Sequence, residues 1–150
     1  MLKAIDPLLN PDLLYVLASM GHGDTIAIVD SNFPIHSVAQ ETVYGHPLRL
    51  DGVSAPRAGR AVLSVLPLDT FIPTAAFRME VVGEPEKWTD VQHEFQQEVF
   101  NAEGPTFKLG GIERFAFYEA AKTSFAVLQT GESRLYGCFL LTKGVIPPKA

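Results

Sequence analysis

Short apolar segments of strand length alternate along this chain with segments of helical periodicity. The predicted strands are 25–29, 48–50, 77–82, 106–112, 125–130 and 137–143, and the predicted helices are 11–20, 57–66, 85–101 and 114–123. Glycine and proline separate these elements, and Phe33-Pro34 is expected to begin a loop. Strands that alternate with helices pack as a sheet covered by those helices, so the pattern predicts an α/β domain with a central sheet.

Residues that start and stop helices support two of these predictions. Asn10 before Pro11 is typical of a helix start, because the cap side chain accepts a backbone N–H and proline has none to lose. Gly21 follows the last apolar residue of this segment and predicts a left-handed helix end. Ser54 is the expected N-cap of the next helix, and Pro67 is its expected end.

The composition restricts the size of the fold and the class of partner. A chain of 150 residues, 47% hydrophobic and 19% charged, is expected to form one domain over residues 1–150. A net charge of -5 with scattered basic residues argues against nucleic acid and anionic membranes as partners. The apolar runs are only a few residues long, whereas a membrane-spanning helix needs about 20. A small domain this apolar is expected to bury surface in an oligomer.

The single cysteine and the N-terminal segment indicate a compartment. Cys138 has no partner for a disulfide within the chain, which suits a reducing environment. The segment 1–7 contains an early acid and an early proline and no signal-peptide core. We therefore expect a cytoplasmic protein. Cys138 falls within a predicted strand without a basic neighbour, which argues against a nucleophilic role.

The segment Gly21-His22-Gly23-Asp24 is the first candidate for chemistry. Histidine exchanges a proton near neutral pH, and flanking glycines leave its ring accessible. Its alternative role is electrostatic, because a charged histidine is favourable at a helix C-terminus. Asp30 follows the first strand, where ligands bind in open α/β sheets; on this residue alone, an Asx turn over Asp30-Ser31-Asn32 is favoured instead. A metal site built from His22, Asp24, Asp30 and His36 is a further alternative, without the compact spacing of known metal motifs.

Three further positions are candidates for contacts with a ligand. Arg114 stands in the first turn of a predicted helix, where the dipole disfavours a cation, so a ligand or carboxylate is expected near it. Tyr136 and Gly137 precede the last strand; a tyrosine hydroxyl donates and accepts, and glycine permits close approach to the backbone. The alternative for these two residues is an ordinary strand start, and Asp69 could be an ordinary loop acid.

Six short segments together carry a resemblance over nearly the whole chain. They are Met20-Gly21-His22-Gly23-Asp24, Asp30-Ser31-Asn32-Phe33-Pro34, Leu66-Pro67-Leu68-Asp69-Thr70, Arg114-Phe115-Ala116-Phe117-Tyr118-Glu119, Thr130-Gly131-Glu132 and Tyr136-Gly137. In this order they resemble the RbsD/FucU family of sugar mutarotases, and in particular its L-fucose branch. The match is looser over 87–105.

The resemblance implies a fold, an activity and an assembly. The fold is a single three-layer α/β/α domain with a central mixed sheet. The activity is the cofactor-free interconversion of the α and β anomers of a free monosaccharide, L-fucose above all, by acid–base opening and closing of the pyranose ring. The assembly is a homo-oligomer, a decamer in bacterial members, with active sites between subunits. No metal is implied.

The resemblance also implies roles for individual residues. The implied catalytic residues are His22, Tyr136 and Tyr118, and the implied substrate-binding residues are Asp30, Asp69, Arg114, Gly137 and Cys138. Cys138 departs from the family, which usually has asparagine there, and a thiol forms weaker hydrogen bonds than an amide. Three alternatives remain: a non-catalytic sugar-binding protein of the same fold, a metal-dependent sugar isomerase or hydrolase, and a structural oligomer.

Overall fold

Six strands form one mixed sheet in the computed structural model, which describes residues 1–150. The strands are β1 (Thr25–Val29), β2 (Leu48–Leu50), β3 (Ala76–Met79), β4 (Gly110–Ile112), β5 (Ala126–Thr130) and β6 (Phe139–Thr142). Their order across the sheet is β2-β5-β1-β6-β3-β4. β6 runs antiparallel to both of its neighbours, β1 and β3, whereas every other pair is parallel. The predicted mixed sheet is confirmed.

Helices cover both faces of this sheet. They are α1 (Pro11–Ser19), α2 (Ile35–Ala39), α3 (Ala55–Leu63), α4 (Asp90–Glu103) and α5 (Arg114–Lys122). Alternate residues of β1 face opposite layers, as the pleat of a strand requires. Ile26 and Ile28 join a buried cluster with α1, α3 and α4, whereas Ala27 and Val29 join a second cluster with α2 and α5. The three-layer α/β/α prediction is therefore confirmed. None of the helices has the length and apolarity needed to cross a membrane.

The prediction that Gly21 ends α1 in a left-handed conformation is wrong. The cap residue Met20 is extended, with φ -62° and ψ 137°, and the left-handed glycine is Gly23, with φ 87°. The Lys143 ammonium instead donates to the carbonyls of Leu17 and Met20, at 2.7 and 2.6 Å. A side chain from the end of β6 thus satisfies the free carbonyls that a left-handed turn would satisfy.

Several predicted elements are present but shorter. α3 begins after its predicted cap Ser54 but ends at Leu63 rather than Leu66, because the Ser64 hydroxyl caps the carbonyl of Ala61. β3 ends at Met79 because 81–84 form a tight turn, and β4 keeps only Gly110–Ile112 of the predicted 106–112.

Three local predictions differ for other reasons. α4 begins at Asp90 rather than Pro85, after the N-cap Thr89, whose N–H donates to the Gln92 side chain at 3.4 Å. α2 occupies 35–39, where only a loop was expected, because five residues are too few to show helical periodicity. Cys138 lies one residue before β6 rather than within a strand.

A glycine allows close approach where α3 and α4 pack together. The ring of Phe95, on α4, stacks on Phe139 of β6, with centroids 3.7 Å apart and planes 6° from parallel. A Cβ added to Gly59, on α3, would lie 2.5 Å from Cε2 of Phe95. Phe95 is fully buried, so its ring has no free space into which it could move.

This contact predicts whether replacing Gly59 raises or lowers the free energy of unfolding. In most helix interiors, glycine to alanine stabilises by about 0.5–1 kcal/mol. We expect Gly59→Ala to lower the free energy of unfolding by about 1–3 kcal/mol, because it overpacks the helix contact. Urea denaturation at one fixed protein concentration would measure the change.

The matched background is Phe95→Leu, which removes the ring that the new methyl group would meet. There Gly59→Ala should be neutral or stabilising. An equal destabilisation in both backgrounds would show that Phe95 is not the cause.

Candidate active site

A cavity of about 180 Å³ opens at one edge of the sheet. It is lined by Asp30, Asn32, Phe33, Met79, Arg114, Tyr118, Leu135, Tyr136 and Cys138. The topology explains this gathering, because β1, β3 and β4 are parallel and their carboxyl ends meet there. β6 is antiparallel to β1 and β3, so the segment that precedes it reaches the same edge. Five of the eight predicted site residues thus meet within one chain.

Asp30 forms the buried end of this cavity. Its Oδ1 accepts the Asn32 N–H at 3.0 Å, so the predicted Asx turn is present as well. Its Oδ2 accepts the Cys138 thiol at 3.4 Å. Burial raises the pKa of Asp30 above its ordinary value, against the opposing effect of these hydrogen bonds. Burial also raises the pKa of Cys138, so the thiol remains protonated and acts as a donor.

Arg114 and Tyr118 lie one turn apart at the start of α5. The Arg114 Nε donates to the Tyr118 hydroxyl at 3.2 Å, and no carboxylate pairs with the guanidinium. Glu113 caps the helix by accepting the N–H groups of Phe115 and Ala116, at 2.9 and 3.0 Å. This carboxylate offsets the positive end of the helix dipole, which explains how the first turn tolerates an arginine.

Tyr136 reaches the cavity from a strained backbone position. Its φ of 63° is left-handed, which costs about 1–3 kcal/mol for a non-glycine residue. Its hydroxyl accepts the Val82 N–H at 3.3 Å. The hydroxyls of Tyr118 and Tyr136 therefore each accept an N–H and keep their own proton for a ligand.

Gly137 is part of the site by packing rather than by lining the cavity. A Cβ at this position would lie 2.8 Å from Cγ of Glu132 and 3.4 Å from Cβ of Asp30. Glycine therefore lets the chain pass close to the Glu132 side chain. This geometry is consistent with the prediction that Gly137 permits another group to approach the backbone closely.

His22 and Asp69 form a separate pair at the other end of β1. The imidazole Nε2 lies 3.0 Å from Oδ1 of Asp69. Hydrogen bonds from the Phe71 N–H and from His22 lower the pKa of Asp69, so this carboxylate is ionised and only accepts. In the neutral form of the imidazole, the proton then lies on Nε2 and the lone pair on Nδ1. Nδ1 is therefore the atom at which this ring can accept a proton.

The two groups of residues cannot meet within one chain. His22 precedes β1 and Asp30 follows it, and β1 has five residues. At about 3.3 Å per residue, the strand separates them by about 17 Å, much more than a monosaccharide spans. The resemblance implied that all eight residues serve one site between subunits, and within a single chain they lie in two separate groups.

Exposed apolar side chains surround both partial sites. Phe115, Leu135 and Val82 lie in or next to the segments that line the cavity, and all three are exposed. Phe71, 71% exposed, contacts the edge of the His22 ring at a centroid distance of 5.2 Å. Exposed apolar clusters of this kind are typical of interaction surfaces.

Four lining residues were not among the predicted site residues: Asn32, Phe33, Met79 and Leu135. Met79 ends β3, and only the order of strands shows that this end lies beside Asp30. The alternative metal ligands do not converge: no group of three or more His, Cys, Asp or Glu side chains could hold an ion. Asp24 instead accepts the Gly21 N–H at 2.7 Å and closes the His22 loop.

Comparisons with known proteins agree with this architecture. The model of the RbsD / FucU transport protein family matches residues 3–146. The fucose mutarotase of Bos taurus is 44% identical, over 99% of this chain and 96% of the bovine protein. The crystal structure of protein Atu2016, a proposed sugar-binding protein, is 58% identical with a TM-score of 0.95, covering 98% of this chain and 97% of its own.

A fourth comparison includes a ligand. The fucose mutarotase of Streptococcus pneumoniae, solved in complex with L-fucose, is 32% identical with a TM-score of 0.86. The match covers 97% of this chain and all of that chain. Sequence and structure thus agree over nearly the full length, and the chain belongs to the RbsD/FucU family.

Proposed function

We propose that this chain is a fucose mutarotase, an isomerase that interconverts the α and β anomers of L-fucose without a cofactor. The cavity at the edge of the sheet carries the proposal, because it combines a buried carboxylate, a free guanidinium and two tyrosine hydroxyls. Relatives named fucose mutarotase support the choice of sugar. The same names make the non-catalytic sugar-binding alternative less favoured.

Mutarotation needs one base and one acid. A base removes the proton of the anomeric hydroxyl while an acid protonates the ring oxygen, and the C1–O5 bond breaks to give the open aldehyde. Rotation about the C1–C2 bond exposes the other carbonyl face, and the reverse proton transfers close the ring. Each proton removed is returned, so the cycle has no net change in charge.

His22 suits the role of the base, and a tyrosine suits the role of the acid. Asp69 holds the Nε2–H, so Nδ1 would accept the anomeric proton and the carboxylate would stabilise the resulting imidazolium. Tyr136 or Tyr118 would donate to the ring oxygen, since each hydroxyl already accepts another N–H. Asp30 and Arg114 would bind the remaining hydroxyls and orient the ring.

A complete site then requires a second copy of the chain. The His22 end of one copy would meet the cavity of the next, with Phe71 on one side and Phe115 and Leu135 on the other. Such a contact joins two different surfaces, and contacts of this type form rings when the rotation closes. We therefore propose a homo-oligomer with sites between subunits, of which the decamer is the expected form, in the cytoplasm.

The first test removes the proposed base. We expect His22→Ala to slow anomer exchange about 10²- to 10⁴-fold, because acid–base catalysis contributes a factor of this size. Saturation-transfer NMR on L-fucose measures the exchange directly, by irradiating one anomeric proton and observing the other. His46→Ala, at another exposed histidine, is the control and should retain the wild-type rate. Full exchange in His22→Ala would exclude His22 as the base.

The second test concerns the shared site. His22→Ala chains and Asp30→Asn chains, each inactive alone, are co-expressed in equal amounts. About a quarter of the sites would then join an intact His22 to an intact Asp30, and activity should return to that level. A site contained in one chain would give no recovery.

A control mixture checks that both chains assemble together. Wild-type chains are co-expressed with chains that carry both substitutions. Shared sites should give about a quarter of the wild-type activity, whereas sites within one chain should give about half.

The third test concerns Cys138. Its only proton is directed to Asp30, so the thiol offers no donor to a sugar. We expect Cys138→Asn to lower the KM for L-fucose about 2- to 10-fold, which corresponds to one additional hydrogen bond. Cys138→Ala is the control, because it removes the thiol without adding a polar group, and its KM should not fall. An unchanged KM in Cys138→Asn would show that this position does not contact the sugar.

A further inference from the structure

Gln92 carries a fully buried side-chain amide on α4. Its Nε2 donates to the carbonyls of Met79 and Tyr136, at 2.7 and 3.1 Å. Its Oε1 accepts from Arg78 Nη1 and from the Thr89 N–H, both at 3.4 Å. Every hydrogen-bonding position of the amide is therefore used.

This amide lies where two paired segments separate. The Met79 N–H still donates to the Cys138 carbonyl at 3.0 Å, as in the ladder between β3 and β6. Beyond that bond, the carbonyls of Met79 and Tyr136 both point to Gln92. Two carbonyls cannot bond to each other, so a group with two N–H donors must satisfy both.

Arg78 sets the orientation of the amide. This arginine is 4% exposed and forms no salt bridge. Its guanidinium lies 4.5 Å from the ring centroid of Trp88, and Nη2 donates to the Pro85 carbonyl at 2.7 Å. A buried cation attracts the amide oxygen of Gln92, which directs the NH2 group to the two carbonyls.

We propose that Gln92 is a positioning residue for Tyr136, an inference that rests on the proposed function of this site. The amide holds the Tyr136 carbonyl and so keeps the residue in its left-handed conformation. In that conformation the Tyr136 hydroxyl meets the Val82 N–H and lines the cavity. Without the amide, the backbone relaxes and the hydroxyl leaves the reacting atoms.

Gln92→Glu tests this with almost no change in shape. A carboxylate has no N–H for the two carbonyls, yet it pairs with the Arg78 cation, so the variant should fold. We expect kcat for anomer exchange to fall about 10- to 100-fold, because a displaced catalytic group loses a factor of this size, while KM changes less. Gln92→Met, which also lacks donors, gives the same test without a new charge.

Gln96→Glu is the matched control. Gln96 is a second buried glutamine on α4, and its amide bonds to the backbone of Phe107 and Leu109, away from the cavity. Its kcat should remain at the wild-type value. An equal loss of kcat in both variants would mean that the effect is general destabilisation, and would overturn the proposal.

Two further measurements separate positioning from a purely structural role. In a Tyr136→Phe background, Gln92→Glu should cost little additional kcat, whereas independent losses that multiply would overturn the proposal. Hydrogen exchange of the Val82 amide should accelerate in Gln92→Glu and not in Gln96→Glu. The exchange result does not depend on L-fucose. If the wild-type protein fails to exchange anomers, the proposed function fails while the positioning of Tyr136 is still tested.

Discussion

The position of β6 between β1 and β3 determines where both partial sites lie. Because β6 runs antiparallel to these two strands, the segment before it lies at their carboxyl ends. Tyr136 and Cys138 therefore approach Asp30. Lys143 follows the other end of β6. Its ammonium donates to the last carbonyls of α1, and its carbonyl accepts the Gly23 N–H beside His22. A parallel β6 would place its preceding segment at the wrong edge of the sheet.

The charged groups of the cavity are left available to a ligand. Asp30 receives only a thiol and backbone donors, and Arg114 binds a neutral hydroxyl rather than a carboxylate. Asp30 and Arg114 form no salt bridge with each other, although both line the same cavity. A carboxylate accepts from sugar hydroxyls and a guanidinium donates to them, so the free protein presents both kinds of partner in fixed positions.

The sequence predicted the elements better than their arrangement. β1 has the predicted bounds because a threonine and four apolar residues stand between clear turn residues. Ser54 and Asn10 are the caps that their side chains suggest. The end of α1 could not be predicted, because it depends on Lys143, which is more than 120 residues away in the chain. The order of the strands likewise depends on long-range pairing that no local pattern contains.

For the site, the motif residues could be identified from the sequence. Which of them a single chain brings together could not. Asp30, Arg114 and Tyr136 stand out by residue type and position, and the structure brings them together. The separation of His22 from them follows from the length and direction of β1, which a set of motifs does not express. Gln92 gave no signal at all, because a glutamine at the start of a helix is ordinary until the carbonyls that it meets are known.

The five-residue length of β1 separates His22 from the cavity. This separation limits the number of complete sites that the proposed assembly can contain. In the proposed assembly, each chain would give its His22 end to one neighbour and its cavity to the other. An open row of copies would therefore always leave one unused histidine end and one unused cavity, whatever its length. Only a closed ring makes the number of complete sites equal to the number of chains.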